Sequence, residues 1–314
     1  MQSALLAVNQ LGVSLFIMAI GFFMTKTGIL NAATAAGMSA YLTKIVFPVM
    51  FIRSLQLPFS IYLLAEFGIF SFGVAASTAI AMTVSYLLCK MQKLPKREGR
   101  VWMIASSLGN YVFIGAPIYL AFYGEAANFP ITALVFMNNI IVCAIHIPLI
   151  KKQDGDDKTP VREVVKSLVT NASLVAGVVA MLLFVLSIRL PVFLLDGMQL
   201  VNNTLIPIAM LVLGYSIAQI SFKSILNRKV FIFSMVKMLV CPILSFYIFR
   251  MFIDNPMILG ILCIGAGMPT GAMLGPVTVQ HNNNPQVAGQ AVLATVLLSV
   301  VTVPAVILLM QGWI

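Results

Sequence analysis

The sequence predicts an all-α polytopic membrane protein with ten transmembrane helices in two inverted five-helix repeats, helices four and nine being broken crossover helices. Three observations lead there. Hydrophobic residues make up 61% of the 314 residues and charged residues 9%, with a mean hydropathy of +1.03, so water cannot be the main solvent. Apolar runs of roughly 20 residues, enough to cross a hydrocarbon core about 30 Å thick, recur between short polar breaks. Prolines and amides return at nearly constant separation in the two halves. The alternating ten-residue strands of a membrane barrel are not found.

The spans read as Leu5 to Met24, Ala33 to Leu55, Ile61 to Cys89, Val101 to Tyr123, Pro130 to Ile150, Leu168 to Ile188, Val192 to Ile220, Val230 to Phe252, Met257 to Gln280 and Gln286 to Met310. Residues 1–150 then form the first repeat, 151–167 a cytoplasmic linker containing Asp154, Gly155, Asp156 and Asp157, and 168–314 the second repeat. With the N-terminus outside, the inner segments carry 14 of the 19 basic residues, among them Lys26, Lys93, Lys152, Lys158 and Lys223. Short cytoplasmic loops are enriched in Lys and Arg, so both termini are expected on the non-cytoplasmic side of the cell membrane. The net charge of +10 thus reports topology in a lipid bilayer and no nucleic-acid partner.

Lys44 and Pro48 in span two answer to Asn203 and Pro207 in span seven, 159 residues on, and Pro117 in span four answers to Pro276 in span nine at the same separation. Asn139 and Pro148 in span five match Thr295 and Pro304 in span ten, each pair nine residues apart. Five spans per half place the second half upside down relative to the first, the inverted arrangement of many secondary transporters. Helix breakers bracket the middle of spans four and nine: Gly109, Gly115 and Pro117 in one, Pro269, Gly271, Gly275 and Pro276 in the other. Broken backbone at that depth must be satisfied by protein or a wet cavity, and paired breaks point to a binding site.

The run Leu108-Gly109-Asn110-Tyr111-Val112-Phe113-Ile114-Gly115-Ala116-Pro117 and its partner Met268-Pro269-Thr270-Gly271 resemble the auxin efflux carrier family, including its bacterial malate or malonate permease branch. The resemblance covers nearly the whole chain. It implies a scaffold of helices 1, 2, 6 and 7, a moving crossover domain of helices 3–5 and 8–10, elevator-type alternating access and a homodimer. It also implies that Asn110 and Asn138 or Asn139 face a small organic anion such as an auxin-like acid, malate or malonate. Gly109 stands where the plant carriers have proline, and the long cytoplasmic loop of many plant members is missing; both point away from the plant hormone.

The remaining candidates are weighed by cost. Lys44 lies near mid-membrane, where a charge costs at least about 2.5 kcal/mol, and has no evident acidic partner, so an anion-attracting role competes with snorkelling. Lys237 is placed nearer the inner face, His146 is given an interfacial hydrogen-bonding role, and His281 sits in a loop before Asn282-Asn283-Asn284-Pro285. Thr270 and Gly271 complete the expected substrate-binding set. No cofactor, metal or catalytic constellation is expected: Cys89, Cys143, Cys241 and Cys263 stand singly, and Glu66, Glu125, Asp196 and Asp254 lie near outer helix ends. The function expected is secondary transport, directed outward, of a small carboxylate. The alternatives are a sodium-coupled symporter of the bile-acid type and a membrane sensor derived from a transporter. Cysteines placed at Ser3 and Gln311 should react with an impermeant thiol reagent from outside the cell and one at Gln153 should not; reaction of all three from one side would remove the inversion.

Overall fold

The computed structural model describes residues 2–152, 160–219 and 227–310, without the side chains of residues 2–8, 10 and 11. Gln153, the acidic stretch 154–157, Lys158, Ile220, Lys223 and Gln311 lie outside the described residues. The described residues form helices and no strand. In chain order these are α1 (Gln2–Lys26), α2 (Ala32–Ser54), α3 (Ile61–Met91), α4 (Lys96–Ser107), α5 (111–123), α6 (128–151) and α7 (Val161–Thr170). They continue with α8 (Ala172–Val185), α9 (Val192–Ala218), α10 (Arg228–Phe249), α11 (Pro256–Ala266), α12 (Leu274–Gln280) and α13 (Pro285–Met310). Six helices among the described residues are long and apolar enough to cross a membrane, or seven if the pair α7 and α8 counts as one span.

One of the six, Tyr111–Lys151, is 41 residues long, about 60 Å if straight and twice the hydrocarbon thickness. It does not run straight. Gly124 adopts φ +59, which a side chain would oppose, and residues 111–115 pack against the helix that begins at Asn128, so α5 and α6 double back at this turn.

Asparagine starts many of these helices. Side-chain oxygens of Asn31, Asn110, Asn171, Asn227 and Asn255 accept from the first-turn N–H groups of α2, α5, α8, α10 and α11, satisfying donors that no helix can satisfy itself. Proline sets a second local feature. Four π-helical segments, Leu42–Val46, Tyr111–Gly115, Val142–His146 and Val236–Val240, each lie just before a proline: Pro48, Pro117, Pro148 and Pro242. Proline offers no N–H and its ring crowds the carbonyl four residues back. The chain opens by one residue instead, and Phe47, Gly115, Ile147 and Cys241 donate to the carbonyls of Leu42, Asn110, Val142 and Val236.

Packing sorts the helices into two groups. In one, α1 lies along α9, α9 along α2, and α2 along α8. In the other, α3 contacts α4, α6, α10 and α11, while α13 contacts α4, α10 and α12. The groups meet where α1 touches α5 and α13 and where α6 touches α2 and α8. Close backbone approach locks α1 to α9: a Cβ on Gly214 would sit 2.1 Å from the Met18 carbonyl oxygen, and one on Gly21 2.5 Å from that of Leu211. Small residues permit this contact in membrane helices, where dispersion replaces the hydrophobic effect as the driving force.

Two boundaries differ from the sequence reading. α4 begins at Lys96 rather than Val101, and a helix occupies Val161–Thr170, inside the stretch expected as a linker. α7 buries no residue, its Glu163 pairs with Lys151 at 3.1 Å, and it meets α8 at a 66° bend at Asn171. Its mixture of valines with Arg162, Glu163 and Lys166 suits an interface helix, which is why a search for apolar spans passed over it. At the turn between α12 and α13, Asn282 and Asn284 take φ of 47° and 45°, and the Asn283 amide donates to the Ile150 carbonyl at 2.8 Å. Desolvation, and then the Lys151 ammonium, hold His281 below the ordinary histidine pKa.

Gly214→Ala should lower the unfolding midpoint of the detergent-solubilised protein, by overpacking worth about 1–3 kcal/mol. Gly37→Ala, whose Cβ meets nothing within 4 Å, should leave the midpoint level or raise it by the helix gain of about 0.4–1 kcal/mol. Equal midpoints for the two variants would contradict the α1–α9 contact.

Candidate functional site

The interruption of α4 and α5 at Leu108-Gly109-Asn110 faces the interruption between α11 and α12. The two unwound segments pair as an isolated antiparallel bridge between Gly109 and Thr270. The Asn110 N–H donates to the Pro269 carbonyl at 2.9 Å, and the Gly271 N–H to the Leu108 carbonyl at 3.0 Å. Side chains are excluded on both sides of the bridge. A Cβ on Gly109 would lie 2.8 Å from the Tyr111 ring and one on Gly271 3.0 Å from the Leu108 side chain.

Behind the bridge, polar side chains satisfy what the breaks release. Thr270 is fully buried; its hydroxyl donates to the Ala105 carbonyl at 2.8 Å, and its N–H donates to the Thr295 hydroxyl at 3.0 Å. Lys237 is 2% exposed, and its Nζ donates to the Ser106 carbonyl at 2.8 Å and, more distantly, to that of Leu108. A buried ammonium against the carbonyl end of α4 complements that helix's negative pole. Lys237 therefore lies directly behind the bridge. His146 is also enclosed: it is 2% exposed, and its Nε2 lies 3.0 Å from the Ser107 hydroxyl, in keeping with the expected hydrogen-bonding role.

In front of the bridge lies a cavity of about 540 Å³, within the range of small-molecule sites. Six of the seven expected substrate residues line it: Lys44, Gly109, Asn110, Asn138, Asn139 and Gly271. Thr270, the seventh, does not. Gly115 and Pro117 lie further along α5, and Pro276 lies in the first turn of α12, beyond Gly275, where its missing N–H is tolerated. Pro269 sits in the break and supplies the carbonyl of the bridge.

The buried polar atoms of the cavity that lack partners are donors. Asn110 is held at both other points, through its N–H to Pro269 and its Oδ1 to the Phe113 N–H at 3.1 Å, leaving Nδ2 buried without a partner. Asn139 Nδ2 is in the same condition. Lys44, on the π-helical segment of α2, is exposed to the cavity and makes no hydrogen bond or ion pair among the described residues; the ion pairs there are Lys151–Glu163 and Lys229–Glu98. No carboxylate among the described residues lines the space. An ammonium, two unpartnered amides and the N-terminus of α5 form an environment suited to an anion.

Several lining residues were not expected from the sequence. Asn171 and Ser173, at the bend into α8, contribute a wall, and Ser173 donates to the Thr43 carbonyl at 3.1 Å, tying α8 to α2. Asn171 lies inside the span read from sequence as Leu168 to Ile188. Phe47 and Phe113 close the far end, their ring centroids 6.4 Å apart. An aromatic residue placed one residue before Pro48 and another four before Pro117 is the signal that was available.

No curated protein matches the chain. A family described as membrane transport protein matches residues 8–307, nearly its whole length. The paired breaks, the helical membrane-spanning architecture and this match agree, and the chain belongs to the membrane transport protein family, the auxin-efflux-carrier-like group.

Proposed function

We propose that this transporter carries a small organic anion, a mono- or dicarboxylate such as malate, malonate or an auxin-like acid, outward across the cell membrane. The observation that carries the proposal is the cavity at the bridge, where Lys44 and the Asn110 and Asn139 amides converge without a carboxylate. A permanent positive charge with no ion-pair partner costs free energy in a membrane protein unless an anion arrives to share it.

The same reading takes the chain as ten spans in two inverted repeats, with α4–α5 as span four and α11–α12 as span nine. The packing of α1, α2, α8 and α9 supports a scaffold, and the contacts among α3 to α6 and α10 to α13 support a crossover domain moving as one body. The cavity is lined by both groups, so sliding one against the other would carry Asn110 away from Lys44 and the bend at Asn171. The mechanism proposed is elevator-type alternating access, with a homodimer holding the scaffold still and both termini outside.

Counterflow of radiolabelled malonate in proteoliposomes, run with and without sodium, tests the carrier reading. Sodium dependence would favour the bile-acid type of symporter, and binding without counterflow a sensor. Asn110→Ala removes a hydrogen bond to a charged group, worth about 1.5 to 3 kcal/mol, or roughly tenfold to 150-fold in affinity. Asn110→Asp should weaken binding further through repulsion. Lys44→Met should lower affinity and remove its dependence on salt. Parent-like transport by Asn110→Ala at equal expression would move the substrate site elsewhere.

A further inference from the structure

The polar cavities of this protein divide by sign. The Lys44 cavity offers an ammonium and unpartnered N–H donors. A second cavity, of about 370 Å³, has as its polar lining Glu125, Asn128, Gln199, Asn202 and Asn203, with no basic residue among the described residues that line it. Here the buried atoms without partners are acceptors, Gln199 Oε1 and Asn202 Oδ1. Gln199 Nε2 is already committed to Asn203 Oδ1, at 2.7 Å.

The two cavities share helices. Their nearest lining residues are Phe47 and Met50 on α2, Phe113 and Ala116 on α5, and Val135 and Ile131 on α6. At 1.5 Å per residue, the separation along each helix is about 5 Å. Between them stands the Phe47–Phe113 contact. Both cavities are walled by the two packing groups, the arrangement expected of two mouths of one path. The repeat reinforces the contrast, because Asn203 stands 159 residues after Lys44 and places a neutral amide where the first mouth has a lysine.

We propose that the Glu125 cavity is the low-affinity release site for the carried anion. This rests on the carrier reading and adds a polarity to it. An anion leaving Lys44 and the asparagine donors enters a space whose carboxylate and free carbonyl oxygens repel it, and it departs without lingering. Glu125 lies in the exposed turn between α5 and α6, on the moving group; Gln199, Asn202 and Asn203 lie on the scaffold helix α9. The asymmetry does not drive net flux. For an uncoupled carrier at zero membrane potential, detailed balance makes Vmax/KM equal in the two directions, so a higher KM at the Glu125 face comes with a proportionately higher Vmax.

The test compares right-side-out and inside-out vesicles at zero membrane potential, with radiolabelled malonate as the probe. The half-saturation concentration should be higher from the Glu125 face, and Glu125→Gln should bring the ratio of the two values toward one, by roughly three- to tenfold, the size of one unit charge across a half-wet cavity. Asn203→Lys should act in the same direction, while Glu125→Asp keeps the charge and should keep the ratio. A ratio unchanged in both Glu125→Gln and Asn203→Lys overturns the proposal. Asn110→Ala separates the two readings: it should weaken binding from both faces, and if it weakens neither, the carrier site is what has failed.

Discussion

Two backbone hydrogen bonds between the unwound segments, Asn110 to Pro269 and Gly271 to Leu108, hold the arrangement on which the rest depends. A helix broken inside a bilayer leaves N–H and C=O groups that lipid cannot satisfy, at several kcal/mol for each. One break alone would need other protein groups or a wet cavity to satisfy it. Two breaks laid antiparallel satisfy each other, and Thr270, Thr295 and Lys237 take up neighbouring groups. The breaks therefore stand or fall together, which explains why helix breakers recur in both halves of the sequence at matching positions.

The bridge also decides the fate of two membrane lysines of similar apparent standing. Lys237 faces the carbonyl end of α4, which carries about half a negative charge, and is fully enclosed there. It stabilises the break from behind. Lys44 faces the opening in front, with no such carbonyl and no carboxylate among the described residues to meet it. The first lysine is internally compensated; the second has no partner among the described residues. Surroundings rather than residue type set the two apart: Lys237 is enclosed with carbonyl partners, and Lys44 is exposed to the cavity.

Much of this was legible in the sequence, because a helix breaker deep in an apolar run is costly unless protein or a cavity receives the backbone groups it frees. Gly109, Asn110, Pro269 and Gly271 marked the breaks, Lys44 stood out as a charge at depth, and Asn138 and Asn139 came from the family resemblance. What sequence could not supply was direction. Thr270 is as polar as Asn110 and adjacent to the matching break, yet the bridge turns it inward to Ala105 while Asn110 faces the cavity. The placement of Lys237 depends on α10 crossing behind α4, a tertiary contact that hydropathy does not encode. Asn171 fell inside the span read as Leu168 to Ile188 because α7, being amphipathic, carries no span signal; its place in the cavity wall goes with the 66° bend between α7 and α8.

The prolines link local chemistry to these placements. Each of the four described π-helical segments precedes a proline, and those segments hold Lys44, Phe113, His146 and Lys237. A proline removes one N–H and crowds the carbonyl four residues earlier, so the helix widens there by one residue and rotates the preceding turn relative to a regular α-helix. In a bilayer that widening is tolerable only where protein or a cavity faces it. The turn before each proline is thus a place where a polar or bulky side chain can be held against another element instead of against lipid. Lys237 meets the α4 carbonyls there, His146 meets Ser107, Phe113 meets Phe47, and Lys44 meets the cavity. The proline positions, more than the polar residues themselves, mark where these helices turn from lipid toward one another.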